Sequence, residues 1–135
     1  MSGKDYILAL DQGTTGSTAL LIDKDGRAVA KAYREIRQIY PQPGWVEQDP
    51  KNLFQSSLTV AREVLQKAGA TAAQVKSIGI TNQRETTIVW DRHTGEPVFN
   101  AIVWQCRRTA PLCEELKKKG MSQPIKDKTG LVIDA

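Results

Sequence analysis

Two short apolar runs, Ile7-Leu8-Ala9-Leu10 and Ala19-Leu20-Leu21-Ile22, are separated by a gap of small or polar residues at 11–18. No other feature constrains the fold as tightly. Runs of this length and continuity suit strands covered on both faces, and the gap reads as the loop joining them. Asp23-Lys24-Asp25-Gly26 is a turn signal, and residues 27–39 resume a strand-like pattern through Val29, Ala32 and Ile36. Three consecutive antiparallel strands are expected.

The rest of the chain alternates element types. Residues 40–45, Tyr-Pro-Gln-Pro-Gly-Trp, form an ordered loop with an aromatic anchor. Asp49-Pro50 then opens a helix, because aspartate caps free backbone N–H groups and proline at the first helical position loses no hydrogen bond. Leu53, Phe54, Leu58, Ala61, Val64, Leu65 and Ala68 recur at helical spacing, and Gly69 stops the run. This amphipathic helix should pack on the sheet. Residues 75–80 read as another apolar strand, and 86–90 with 98–104 as a hairpin around the turn at 91–95, with His93 on its surface. A helix over 109–119 tolerates Pro111 in its first turn and shares Leu112, Cys113 and Leu116 on one face. Glu114 and Glu115 each precede a lysine by four residues, the favourable order for helix ion pairs. Thr129-Gly130 introduces a last apolar run, Leu131-Val132-Ile133, which reads as a strand without a partner, so the chain is expected to be a fragment.

Composition narrows the function classes. A 135-residue chain that is 40% hydrophobic can bury one modest core. Its net charge of +4 is scattered except for Lys117-Lys118-Lys119, which suits a solvated helix end, so no nucleic-acid partner is expected. The opening MSGKDY lacks the apolar core of a secretory signal and no run reaches the length of a membrane span, so a cytoplasmic protein without membrane insertion is expected. Cys106, Cys113 and the single histidine cannot complete a four-ligand zinc site; the cysteines read as reduced thiols, one of them buried.

A strand ending in Asp11 and followed by Gly13-Thr14-Thr15-Gly16-Ser17 offers the parts of a phosphate site. The glycines permit tight turns, while hydroxyls and successive N–H groups can converge on an anion. It is not a Walker loop, since the GxxxxGK[ST] pattern is absent. Asp11 could hold Mg²⁺ through water. Taken alone, the loop also suits a plain hairpin turn. The order strand, Asp-Gln-Gly-Thr-Thr loop, strand, turn, strand, helix, strand resembles the α/β ribonuclease-H-like ATPase core shared by actin, hexokinases and sugar kinases, with a mixed sheet.

A second constellation, Thr81-Asn82-Gln83-Arg84-Glu85, interrupts the strand at 75–80. Arg84 and Glu85 bring five rigid donors and a carboxylate acceptor to bear on a small polar ligand, although adjacent opposite charges also suit an exposed loop. The segments ALDQGTT, YPQPGWVEQDP, GITNQRETTIVWD, NAIVWQCRRTA and TGLVID together resemble the FGGY carbohydrate kinases, in particular those that phosphorylate glycerol. The resemblance implies ATP-dependent formation of sn-glycerol 3-phosphate, with ATP and Mg²⁺ as cofactors and glycerol as partner. It places ATP phosphates at Gly13, Thr14, Thr15, Gly16 and Ser17, the metal near Asp11, and glycerol at Arg84, Glu85 and Trp104. It also implies that residues 1–135 are the N-terminal part of the first of two domains and that the full-length protein is a homo-oligomer. The catalytic aspartate base, a glycerol-contacting tyrosine and the adenine pocket fall beyond residue 135, so no kinase activity is expected of these residues alone. Two positions depart from the glycerol-specific pattern: Thr18 stands where arginine is usual, and Gly16 where serine is. The rival readings are a kinase for another polyol or sugar and an actin-like nucleotide-dependent assembly module.

Overall fold

The computed structural model describes residues 4–135; of the opening segment read for a signal, residues 1–3 lie outside these. A four-stranded mixed sheet organises the chain. Strands β1 (Tyr6–Gln12), β2 (Gly16–Asp23) and β3 (Ala28–Glu35) are antiparallel neighbours, as the sequence pattern predicts. The turn between β2 and β3 is held by the Asp23 carboxylate, which accepts the N–H groups of Asp25 and Arg27, each at 2.9 Å. Gly26 there takes φ +78°, a conformation that glycine adopts without steric cost.

Helix α1 (Pro50–Ala68) follows a two-residue strand β4 (Glu47–Gln48). Its ends are those predicted: Asp49 accepts the Lys51 N–H at 2.9 Å, and Gly69 closes the helix at φ +60°. Its buried stripe is Leu53, Ser56, Val60 and Val64, a spacing of three and four residues, while Phe54 stands exposed. Val60 and Val64 pack with Tyr6, Leu8, Ala19, Leu21 and Ala32 in the main core. Complete burial of each large aliphatic side chain there contributes about 1.5–3 kcal/mol.

Strand β5 (Val75–Thr81) then returns parallel to β1, giving the order β3-β2-β1-β5. The helix covers one face of this sheet only. Tyr6 and Leu8 are buried beneath it, whereas Ile7 on the opposite face is 47% exposed, which corrects the expectation of cover on both sides.

Four further expectations need correction. Strand β3 stops at Glu35 because Ile36 turns inward to a second small core with Leu53 and Ala101, its N–H donating to the Thr15 carbonyl at 2.9 Å. The 86–104 hairpin reduces to isolated bridges at Thr87–Ile102 and Trp90–Pro97, because proline has no N–H to extend a ladder, and β6 (Ala101–Ile102) forms its short ladder with β4 while Ile102 also bridges Thr87. Helix α2 (Ala110–Lys118) buries Cys113 but leaves Leu112 exposed, and Lys117 pairs with Glu114 at 2.8 Å rather than the lysines pairing four residues on. Residues 131–133 form no strand; they follow an unanticipated helix α3 (Ser122–Thr129) that ends at Gly130. His93 is exposed, and Cys106 and Cys113 are both free and buried. No helix among the described residues is long and apolar enough to cross a membrane.

Candidate functional site

The β1–β2 hairpin turns within four residues, closed by the Gly13 N–H on the Gly16 carbonyl at 3.0 Å. Every carbonyl of this turn has a donor. Gly13 O accepts from Gln83 Nε2 at 3.1 Å, Thr14 O from Gln38 Nε2 and Gln48 Nε2 at 2.8 and 2.7 Å, and Thr15 O from the Ile36 N–H. Among the described residues, the N–H groups of Thr14 and Thr15 have no acceptor. A turn whose carbonyls are anchored and whose N–H groups are free presents the partial positive ends of its peptide dipoles, the arrangement that receives an anion.

Gly16 and Ser17 have different positions from that rim. A Cβ on Gly16 would lie 2.5 Å from the Arg34 carbonyl and 2.5 Å from the Tyr33 ring, so the backbone passes there only as glycine. Ser17 is buried on the helix side of the sheet, and its hydroxyl meets Ser56 Oγ at 2.7 Å. Gln12 points the same way and accepts from Ser57 Oγ at 2.5 Å. Asp11, by the alternation of the strand, belongs to the open face in a row with Thr18, Tyr33 and Thr81 across the four strands.

A cleft of about 420 Å³ is lined by Gln12, Gly13 and Thr14 together with Asn82, Gln83, Arg84, Glu85 and Trp104. The cleft therefore joins two of the phosphate candidates to all three of the polyol candidates. Arg84 and Glu85 are exposed and form no ion pair among the described residues, leaving guanidinium and carboxylate available to a ligand. Glu85 is the one non-glycine with positive φ, +60°, among the described residues. Such local strain persists where surrounding structure enforces it, and it concentrates at functional sites. Trp104 Nε1 donates to Thr14 Oγ1 at 2.9 Å. An indole nitrogen can only donate, so the Thr14 hydroxyl accepts there and keeps its own proton for another partner.

A buried ion pair links β4 to the segment that follows β6. Glu47 is 2% exposed at its side chain and accepts from Arg108 Nη2 at 2.5 Å and Asn100 Nδ2 at 2.9 Å. Arg108 also stacks 3.8 Å above the Trp45 ring and donates through Nε to Cys106 Sγ at 2.9 Å. Burial pushes the Glu47 carboxyl up, but the Asn100 and Arg108 hydrogen bonds and the guanidinium charge outweigh it and hold the carboxyl below its usual range. The Cys106 thiol is likewise raised by burial yet lowered overall by the N–H groups of Arg108 and Val46 and the Arg108 side chain. Neither this pair nor the glutamines Gln38, Gln48 and Gln83 received a role from sequence analysis. Gln48 and Gln83 do fall inside the segments YPQPGWVEQDP and GITNQRETTIVWD that carry the resemblance, a signal that could have pointed to them.

No group of three or more His, Cys, Asp or Glu among the described residues could hold a metal by itself. Asp11 is a single carboxylate on the open face of the sheet, next in the chain to Gln12 but not itself among the residues that line the cleft; one carboxylate of this kind suits a cation that keeps most of its waters.

The sequence model for the N-terminal domain of the FGGY family of carbohydrate kinases matches residues 6–135. A curated relative, "Glycerol kinase 2" of Thermotoga maritima, is 59% identical over 130 residues, covering 96% of this chain. The chain spans about a quarter of that relative's length, 26%. Among solved structures, Plasmodium falciparum glycerol kinase with ADP superposes with a TM-score of 0.84 at 34% identity, over 97% of this chain and 26% of that one. Gluconate kinase from Lactobacillus acidophilus gives 0.86 at 27% identity, over 96% and 25%.

Proposed function

Because the chain belongs to the FGGY family of carbohydrate kinases, we propose that it supplies the first part of the N-terminal domain of a protein that phosphorylates glycerol with ATP, giving sn-glycerol 3-phosphate. The observation that carries this reading is the single cleft in which Gly13 and Thr14 stand opposite Arg84, Glu85 and Trp104. ATP phosphates lie against the free N–H groups of Thr14 and Thr15 and the Thr14 hydroxyl. Glycerol lies across the cleft: Arg84 donates to its hydroxyls, Glu85 accepts from them, and the Trp104 ring walls its carbon chain. Gly16 and Ser17 serve the hairpin from behind, as close-packed backbone and as an anchor to α1.

Phosphoryl transfer needs mainly alignment and charge neutralisation. The glycerol hydroxyl oxygen forms a bond to the γ-phosphorus, the bond from that phosphorus to the β-phosphate oxygen of ADP breaks, and the hydroxyl proton passes to a base that the family resemblance places beyond residue 135. Mg²⁺, when bound, neutralises phosphate charge, and Asp11 would hold it through water. The residues of this chain fix the two reactants at either side of one gap and carry no proton in that step.

Arg84→Ala in the complete protein tests the assignment. The KM for glycerol should rise about tenfold or more, consistent with the loss of charge-assisted hydrogen bonds, while the KM for ATP changes little. Equal loss for both substrates contradicts it. The fold shared with gluconate kinase favours a second reading, a kinase for another polyol or sugar acid; turnover of gluconate without turnover of glycerol would select it.

A further inference from the structure

Gln48 does not line the cleft, yet it joins the cleft's two sides. It is completely buried on β4, with its Nε2 donating to Thr14 O at 2.7 Å and its Oε1 accepting from Gln83 Nε2 at 2.9 Å. Gln83 Nε2 also reaches Gly13 O at 3.1 Å, and Gln83 Oε1 accepts from Thr86 Oγ1 at 3.1 Å. Thr86 Oγ1 in turn accepts the Trp104 N–H at 3.4 Å, and Trp104 Nε1 closes the ring on Thr14 Oγ1.

The direction of this ring follows from its chemistry. Thr14 O can only accept, so Gln48 must present its NH₂ there and its oxygen to Gln83. Gln83 must then present NH₂ to both Gln48 and Gly13 O, which turns its own oxygen to the Thr86 hydroxyl. Each link has one consistent polarity, and the ring runs from the phosphate hairpin through the loop that carries Arg84 and Glu85 and back through Trp104.

We propose that Gln48 is a positioning residue that, through Gln83, registers the phosphate hairpin against the polyol loop, so that a polyol seated on Arg84, Glu85 and Trp104 sets the hairpin for ATP. This rests on the functional reading above and adds to it a route by which each substrate site senses the other. A plain structural filler would satisfy buried polar groups without linking the two sites. The bonding favours the linking role: Thr14 O keeps Gln38 Nε2 as a donor at 2.8 Å, so Gln48 is not needed merely to satisfy it.

The test uses the complete protein and compares glycerol affinity, by calorimetry, with and without magnesium and a non-hydrolysable ATP analogue. In the unaltered protein the analogue should tighten glycerol binding by at least about fivefold, the lower end of ordinary site coupling. Gln48→Leu should bring that factor close to one, raise the KM for glycerol at saturating ATP by about the same factor and lower kcat, while glycerol affinity without nucleotide changes little. Should Gln48→Leu fail to fold, Gln83→Met breaks the same link at a less buried position and should give the same loss of coupling. A factor of one in the unaltered protein, or a factor that survives in the variants with only a lowered Tm, overturns the relay. Absence of both glycerol binding and glycerol-dependent ADP release from the unaltered protein overturns the functional reading itself.

Discussion

At position 16 there is no room for a side chain. Gly16→Ser would drive its Cβ into the Arg34 carbonyl, a backbone atom that cannot swing aside as the Tyr33 ring can. We expect a loss of about 1–3 kcal/mol in unfolding free energy, the usual cost of forcing extra volume into a packed site. Removing the ring as well, in Gly16→Ser/Tyr33→Ala, should restore little, because the carbonyl clash remains; full recovery in denaturant titrations would show that the ring alone excludes serine. The sequence made the glycines and hydroxyls of this turn legible as a group, since their side-chain chemistry is local. It could not separate Thr14, on the cleft, from Ser17, buried against Ser56, because that division depends on which face of the sheet α1 covers.

Between elements, the buried Glu47–Arg108 pair ties β4 to the approach of α2. The folded state holds the Glu47 carboxyl below its unfolded value. Its contribution is therefore complete above the unfolded value, about 4.3, and is lost as pH falls through the lower folded one. Thermal midpoints followed downward from pH 7 should fall more steeply for the unaltered protein than for Glu47→Gln/Arg108→Met, which lacks the carboxylate. Parallel declines would show that the pair does not set this acid sensitivity. At this scale the strands β1 to β3 and the capped helix α1 were readable, because Asp-Gly turns, an Asp-Pro start and a glycine stop act within a few residues. The 86–104 hairpin was not readable, since β6 is shared between a single bridge to Thr87 and the distant β4, a division settled by long-range packing. Helix α3 carries Pro124 and only one large apolar residue, Ile125, so it offers no periodic stripe to read.

For the whole molecule, the sheet sets the geometry of the site. β1 and β5 run parallel, so the hairpin after β1 and the loop after β5 that carries Arg84 and Glu85 leave the same end of the sheet and line one cleft. That juxtaposition was inaccessible to composition or periodicity and entered sequence analysis only through the family resemblance. The proposed function requires these two loops to form one phosphoryl-transfer site acting on glycerol. The most direct measurement is ADP release by the complete protein given Mg-ATP, with and without glycerol. Release should depend strongly on glycerol, with equimolar glycerol 3-phosphate formed; release that is unchanged by glycerol in a folded protein rules the proposed function out.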